Sequence, residues 1–87
     1  MLMRYEFKPS AIKDLKKLPV ALRRGILNKL EFYAASKDPL QFAKPLRDRR
    51  FGEYRFRIGD YRVLFDVDYR RGAMIILAIG HRKDIYR

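Results

Sequence analysis

Between residues 3 and 8 apolar and charged side chains alternate, with Met3, Tyr5 and Phe7 set against Arg4, Glu6 and Lys8. That period of two predicts a half-buried strand, which Pro9 stops. The period then lengthens. Ala11, Ile12, Leu15 and Leu18 recur at helical spacing as far as Pro19, with Ser10 as the expected N-cap. Leu22, Ile26, Leu30, Tyr33 and Ala34 form one stripe of a second helix, so the two make a helical hairpin. The stretch "SKDPLQFAKPLRDRRFGE", 36–53, holds two prolines and a glycine and is expected to be a long, basic loop. From Glu53 onward the pattern is strand: 54–58, 61–67 and 73–79, the last two joined by the charged turn "DYRRG". This order predicts an α+β fold, in which an N-terminal strand, a helical hairpin and a three-stranded antiparallel meander form one sheet packed on the helices. A chain of 87 residues has room for one domain over 1–87.

The segment "YRFRIGDYR", 54–62, fixes its own pairing. Gly59 and Asp60 suit a two-residue hairpin turn, with glycine supplying the positive φ of a type II′ first position. Ile58 then opposes Tyr61, Arg57 opposes Arg62, Phe56 opposes Val63 and Arg55 opposes Leu64. Opposed residues share a face. One face is therefore Tyr54, Phe56, Ile58, Tyr61, Val63, Phe65 and Val67, which should pack on the helices. The other is Arg55, Arg57, Arg62, Leu64 and Asp66, a basic floor. Like charges directly opposed in a sheet destabilise it by roughly 0.2–1 kcal/mol, so Arg57 beside Arg62 requires either a bound anion or neutralisation by Asp66, Asp60 or Glu53.

Charge widens the picture. With 21 Lys and Arg against 10 Asp and Glu, the formal charge is +11, which repels itself in a compact state and points to a polyanion or an acidic protein as partner. Lys13, Lys16, Lys17, Arg23 and Arg24 on the helices, and Lys44, Arg47, Arg49 and Arg50 in the 36–53 stretch, are candidate contacts to an RNA backbone. Cysteine is absent, which excludes disulfide and thiol chemistry. The first residues lack an apolar signal region and no apolar run reaches about 20 residues, so a cytoplasmic protein without membrane contact is expected.

The catalytic inventory is short. Ser10 and Ser36 are the only hydroxyls besides tyrosine, and His81 has no second histidine or cysteine beside it, so a protein nucleophile, a metal site and a cofactor are not expected. One reaction suits what remains: cleavage of RNA by its own 2′-hydroxyl, which needs cations at the scissile phosphate. His81 is the one side chain whose ordinary pKa lies near neutrality, and neighbouring arginines would favour its neutral, basic form. "IGHRKDIYR" at 79–87 places it with Arg82 and Tyr86. If Arg82 faces the floor, Ile76, Ala78 and Gly80 share that face, and His81 points away unless the strand bends. Tyr86 could alternatively stack on a base.

"AKPLRDRRFGEYRFRIGDYRVLFDVD" followed by "IILAIGHRKDIYR" resembles the RelE/ParE superfamily of toxin–antitoxin toxins, on the RelE side, over nearly the whole chain. The resemblance implies a ribosome-dependent endoribonuclease that cuts mRNA in the A site, with ribosomal RNA and mRNA as partners and an acidic antitoxin that silences it. It places Arg62 at the transition-state-stabilising arginine, Arg82 at the arginine that protonates the leaving oxygen or holds the phosphate, and Tyr86 at the tyrosine that orients or activates the 2′-hydroxyl. Arg55 and Arg57 stand where the best-known member has two lysines. Arginine cannot act as a general base, so that role falls to His81 or Tyr86. Two alternatives stay open: a ParE-like inhibitor of DNA gyrase, whose members usually lack this arginine and tyrosine set, and a catalytically inactive module that binds RNA or antitoxin.

Overall fold

The computed structural model describes residues 3–86. Its elements run β1 (Arg4–Phe7), α1 (Pro9–Lys16), α2 (Val20–Ala35), β2 (Ala43–Pro45), β3 (Tyr54–Ile58), β4 (Tyr61–Asp68) and β5 (Ala73–His81), with short 3₁₀ turns at Pro39–Phe42 and Arg49–Phe51. The five strands form one sheet in the order β1-β5-β4-β3-β2. Ala11 and Leu15 of α1 and Ile26, Leu30, Tyr33 and Ala34 of α2 bury one face of it, against Phe56, Val63, Phe65, Val67, Met74, Ile76 and Ile79. The α+β expectation holds. Ile12, placed on the inner stripe by its spacing, is instead 41% exposed.

Two features depart from the pattern reading. β1 runs parallel to β5, pairing Arg4 with Ala73 through Phe7 with Ile76, so antiparallel pairing is confined to β2–β5. The 36–53 stretch is not loop throughout, because Ala43–Pro45 adds to β3 as an edge strand. Three residues ending in proline carry no legible period, and proline is tolerated there because an edge strand has a side with no ladder partner.

The hairpin register is as its turn requires: Arg57 opposes Arg62 and Ile58 opposes Tyr61. Gly59 has φ +59° and no non-glycine residue described has positive φ, as a type II′ turn with Asp60 second demands. β5 is less regular. Leu64 pairs with Ala78 but Phe65 with Ile76, leaving Leu77 as the extra residue of a bulge. The bulge resets the alternation, so Ile76 lies in the core while Ala78 and Gly80 lie on the opposite face. The expectation that Ile76 shares the floor is corrected by that one residue.

β1 accompanies β5 only as far as Ile76, and α1 completes the edge beyond it. Ser10 Oγ donates to the Leu77 carbonyl at 2.7 Å, and the Ile79 N–H donates to Asp14 Oδ2 at 2.9 Å. Ser10 is therefore not the N-cap; Lys8 occupies that position without a side-chain bond, and Pro9 pre-sets the first turn. Asp14→Ala leaves a strand N–H without its acceptor and is expected to lower stability by about 1–3 kcal/mol, read as a fall in the urea midpoint at unchanged slope.

Candidate active site

Opposed residues place two rows of side chains on the face away from the helices. One row runs Lys44, Arg55, Leu64, Ala78, and the other Arg57, Arg62, Gly80. Lys44 thus joins the three arginines of the floor. Leu64, only 1% exposed, forms its apolar base.

Arg62 is held against the hairpin turn by its own guanidinium, whose Nη1 donates to the carbonyls of Gly59 and Tyr61, each at 3.0 Å. Its pKa is lowered, first by partial burial and then by the charges of Arg57 and Arg55, with Arg82 adding to the effect and the Tyr86 phenol opposing it. Such a cluster of like charges disfavours its own cations and favours an anion among them. The acids that could have neutralised it are engaged elsewhere. Asp66 accepts the Glu53 N–H at 3.0 Å, Glu53 accepts the Val67 N–H at 2.9 Å, and Asp60 Oδ1 faces Arg82 Nε at 3.6 Å. Among the described residues no carboxylate lies within ion-pairing distance of Arg55, Arg57 or Arg62.

Arg82 reaches this cluster by following the hairpin tip, its N–H donating to the Asp60 carbonyl at 2.8 Å. The chain then turns back, as the N–H groups of Asp84 and Ile85 both donate to the His81 carbonyl at 2.8 and 3.0 Å. Ile85 folds over Gly80, where an added Cβ would sit 3.0 Å from Ile85 Cδ1. Tyr86 follows, its ring edge-on to Phe51 with centroids 5.3 Å apart and planes at 79°.

His81 does not join them. It pairs with Tyr61 in the ladder, so strict alternation puts it on the helix side, where its ring meets the Tyr61 ring edge-on at 5.4 Å. Its Nδ1 accepts the Lys83 N–H at 3.1 Å. His81, expected as a general base, thus stands on the other face of the sheet from the arginine floor.

The remaining basic candidates separate into groups. Lys13, Lys16, Lys17 and Arg24 are exposed on the helical layer, across the sheet from the floor. Arg23 is committed to structure, because Nε donates to Leu15 O at 3.0 Å and Nη2 to Leu18 O at 3.1 Å and Lys16 O at 3.4 Å, closing the end of α1. Arg50 forms a close pair with Asp48, and Arg49 faces Glu53 at 3.7 Å. Arg47 is exposed just past β2.

The sequence pattern assigned no role to Phe51, Gly52 or Ile85, and the contacts that give Phe51 and Gly52 one, with Tyr86 and Leu77, are with residues distant in the chain. Gly52 has φ +125°, and a Cβ there would lie 2.9 Å from Leu77 Cδ1 and 3.4 Å from the Phe65 carbonyl. Gly52→Ala is expected to destabilise the chain by about 1–3 kcal/mol through strain alone, visible as a lowered thermal midpoint.

A family model described as the ParE toxin of type II toxin–antitoxin systems, parDE, matches residues 5–86. The toxin RelG of Mycobacterium tuberculosis is 37% identical over 81 residues, 93% of this chain and 92% of that protein. The chain belongs to the RelE/ParE family of toxins. Among solved structures, the toxin–antitoxin complex RelBE2 of Mycobacterium tuberculosis superposes with a TM-score of 0.79 at 32% identity, over 94% of this chain and 100% of that one. The RelE–RelB complex of Pyrococcus horikoshii OT3 gives a TM-score of 0.73 at 28% identity, over 97% and 99%. Both are complexes of a RelE/ParE-family toxin with its antitoxin. Among the described residues of this toxin no helix is long and apolar enough to cross a membrane.

Proposed function

We propose that this toxin cuts mRNA in the ribosomal A site, by attack of an RNA 2′-hydroxyl on the adjacent phosphorus. The 2′-oxygen gives up its proton as it forms the new bond, the bond to the 5′-oxygen breaks as that oxygen takes up a proton, and the products are a 2′,3′-cyclic phosphate and a 5′-hydroxyl. The observation that carries the reading is the gathering of Arg55, Arg57, Arg82 and Tyr86 around Arg62 on one open face, with no carboxylate among the described residues in ion-pairing reach of Arg55, Arg57 or Arg62. Preorganised guanidinium donors stabilise the charge that grows on the phosphate oxygens, and their planar fork matches them. Arg62 serves that charge, Arg82 and Arg57 hold the phosphate, and the Tyr86 phenol orients or activates the 2′-hydroxyl. Lys44, Arg55 and Arg47 extend the cationic track along the strand. The helical cations Lys13, Lys16, Lys17 and Arg24 suit a second RNA surface, such as ribosomal RNA.

The reading places the toxin in the cytoplasm with the ribosome, and under the control of an acidic antitoxin that covers part of its +11 charge. The RelB complexes among its structural neighbours support that partner. Primer extension on mRNA in a programmed ribosome, beside the same mRNA free, tests it. A cut within the A-site codon in the ribosomal sample is expected, and its rate at limiting toxin should fall steeply with added salt, because each neutralised phosphate adds to the slope. No cut, together with gyrase-dependent DNA breaks in expressing cells, would favour the second reading suggested by the family model's parDE description. RNA binding without cutting or DNA breaks would leave an inactive binding module.

A further inference from the structure

We propose that Phe51 is the positioning residue of this site: it sets the Tyr86 ring over the arginine floor, so that the turn before β3 and the turn after β5 work as one unit. The inference rests on the nuclease reading. Tyr86 lies five residues past the end of β5 and is 42% exposed. The turn that carries it is tied to the sheet by backbone bonds from Arg82 to Asp60 and from Asp84 and Ile85 to His81, by the Lys83 N–H on His81 Nδ1, and by Ile85 packed over Gly80. Those contacts hold the backbone as far as Ile85 and none of them touches the Tyr86 ring. The edge-on contact with Phe51, at 5.3 Å and 79°, supplies the missing constraint from the side.

Phe51 can do this because its own turn is rigid. The Phe51 N–H donates to Asp48 O at 3.1 Å, Gly52 N–H to Arg49 O at 3.2 Å, and Glu53 N–H to both Phe65 O at 3.2 Å and Asp66 Oδ1 at 3.0 Å. Gly52, at φ +125°, packs against Leu77 Cδ1 in a backbone conformation that a side chain would strain. The Arg50 guanidinium lies over the Phe51 ring at 5.7 Å and is itself fixed by Asp48. The two Glu53 bonds end on β4, the strand that carries Arg62, and the others hold Phe51 within the turn that they anchor. The separation between the Tyr86 phenol and the Arg62 guanidinium is therefore set through β4 and Phe51 rather than through the chain's last turn. A misplacement of about 1 Å at a reacting group can slow a reaction a hundredfold.

The test measures single-turnover A-site cleavage by purified toxin across a range of ribosome concentrations. Phe51→Leu removes the ring and is expected to lower the limiting rate at least about tenfold, with the half-saturating ribosome concentration unchanged. Phe51→Tyr keeps the ring and should restore the wild-type rate. In a Tyr86→Ala background Phe51→Leu should cause no further loss, since the two residues would act through the same group. Thermal midpoints are recorded for each variant, and Phe51→Met replaces Leu if the latter unfolds. Wild-type rates in Phe51→Leu or Met, or losses that multiply with Tyr86→Ala, would overturn the inference alone. A wild-type toxin that cuts no ribosome-bound mRNA would overturn the nuclease reading and this role together.

Discussion

Arg62→Ala is expected to slow A-site cleavage by about 10²–10³-fold while leaving the fold intact, because it removes the donor group at the centre of the floor. Its two bonds go to carbonyls of its own hairpin turn, and its neighbours Arg55, Arg57 and Arg82 repel it. Loss of the side chain therefore relieves repulsion while breaking those bonds, and stability should change by less than about 1 kcal/mol. Arg62→Lys keeps the charge but not the planar fork, so it should recover only part of the rate. The measurement is single-turnover primer extension, paired with thermal unfolding of the same preparations. A fully active Arg62→Ala toxin of unchanged stability would sink the mechanism and leave the cations as a docking surface.

Phe65→Ala should have the largest effect on stability. The ring lies at the centre of a column in which Tyr33 meets Phe56 at 4.7 Å, Phe56 meets Phe65 at 4.5 Å and Phe65 meets Tyr54 at 5.6 Å. It is fully buried, and truncation of such a side chain costs about 3–5 kcal/mol against a total of about 5–15 for a small domain. The variant is expected to show largely unfolded circular dichroism at 37 °C. A ligand that binds only the folded state raises stability by mass action, so antitoxin should restore the native signal in proportion to its concentration. A variant with a urea midpoint near that of the wild type would show that the column does not carry the core.

The parts of this structure that were legible in the sequence are those whose cause is local. A glycine that takes positive φ fixed a two-residue turn, and the period of two did the rest, so Arg57 could be set opposite Arg62 from the letters alone. The helical stripe of Ile26, Leu30, Tyr33 and Ala34 was legible for the same reason. What stayed hidden depends on contacts between distant segments. The bulge at Leu77 has no signature in "AMIILAIG", yet it decides that Ile76 is core and Ala78 floor. Ser10 has the letter of a cap, but its hydroxyl serves β5. His81 has the chemistry of a base, but alternation carries it to the far face. Phe51 sits in a stretch that reads as charged loop, and only its ring against Tyr86 gives it a part in the site.

The placement of α1 against β5 bears on what happens when the toxin stands alone. A sheet edge with open N–H and C=O groups is a template on which further copies can stack into aggregates. Here the second half of β5 offers no such template, because Ser10 and Asp14 already occupy its outward groups at Leu77 and Ile79. The two outer strands are only four and three residues long; one carries Arg4 and Glu6, the other Lys44 and Pro45. Short, charged and proline-bearing edges are poor seeds for fibrils. A second copy of the unpartnered toxin would therefore find little open backbone along either margin of the sheet on which to add a strand.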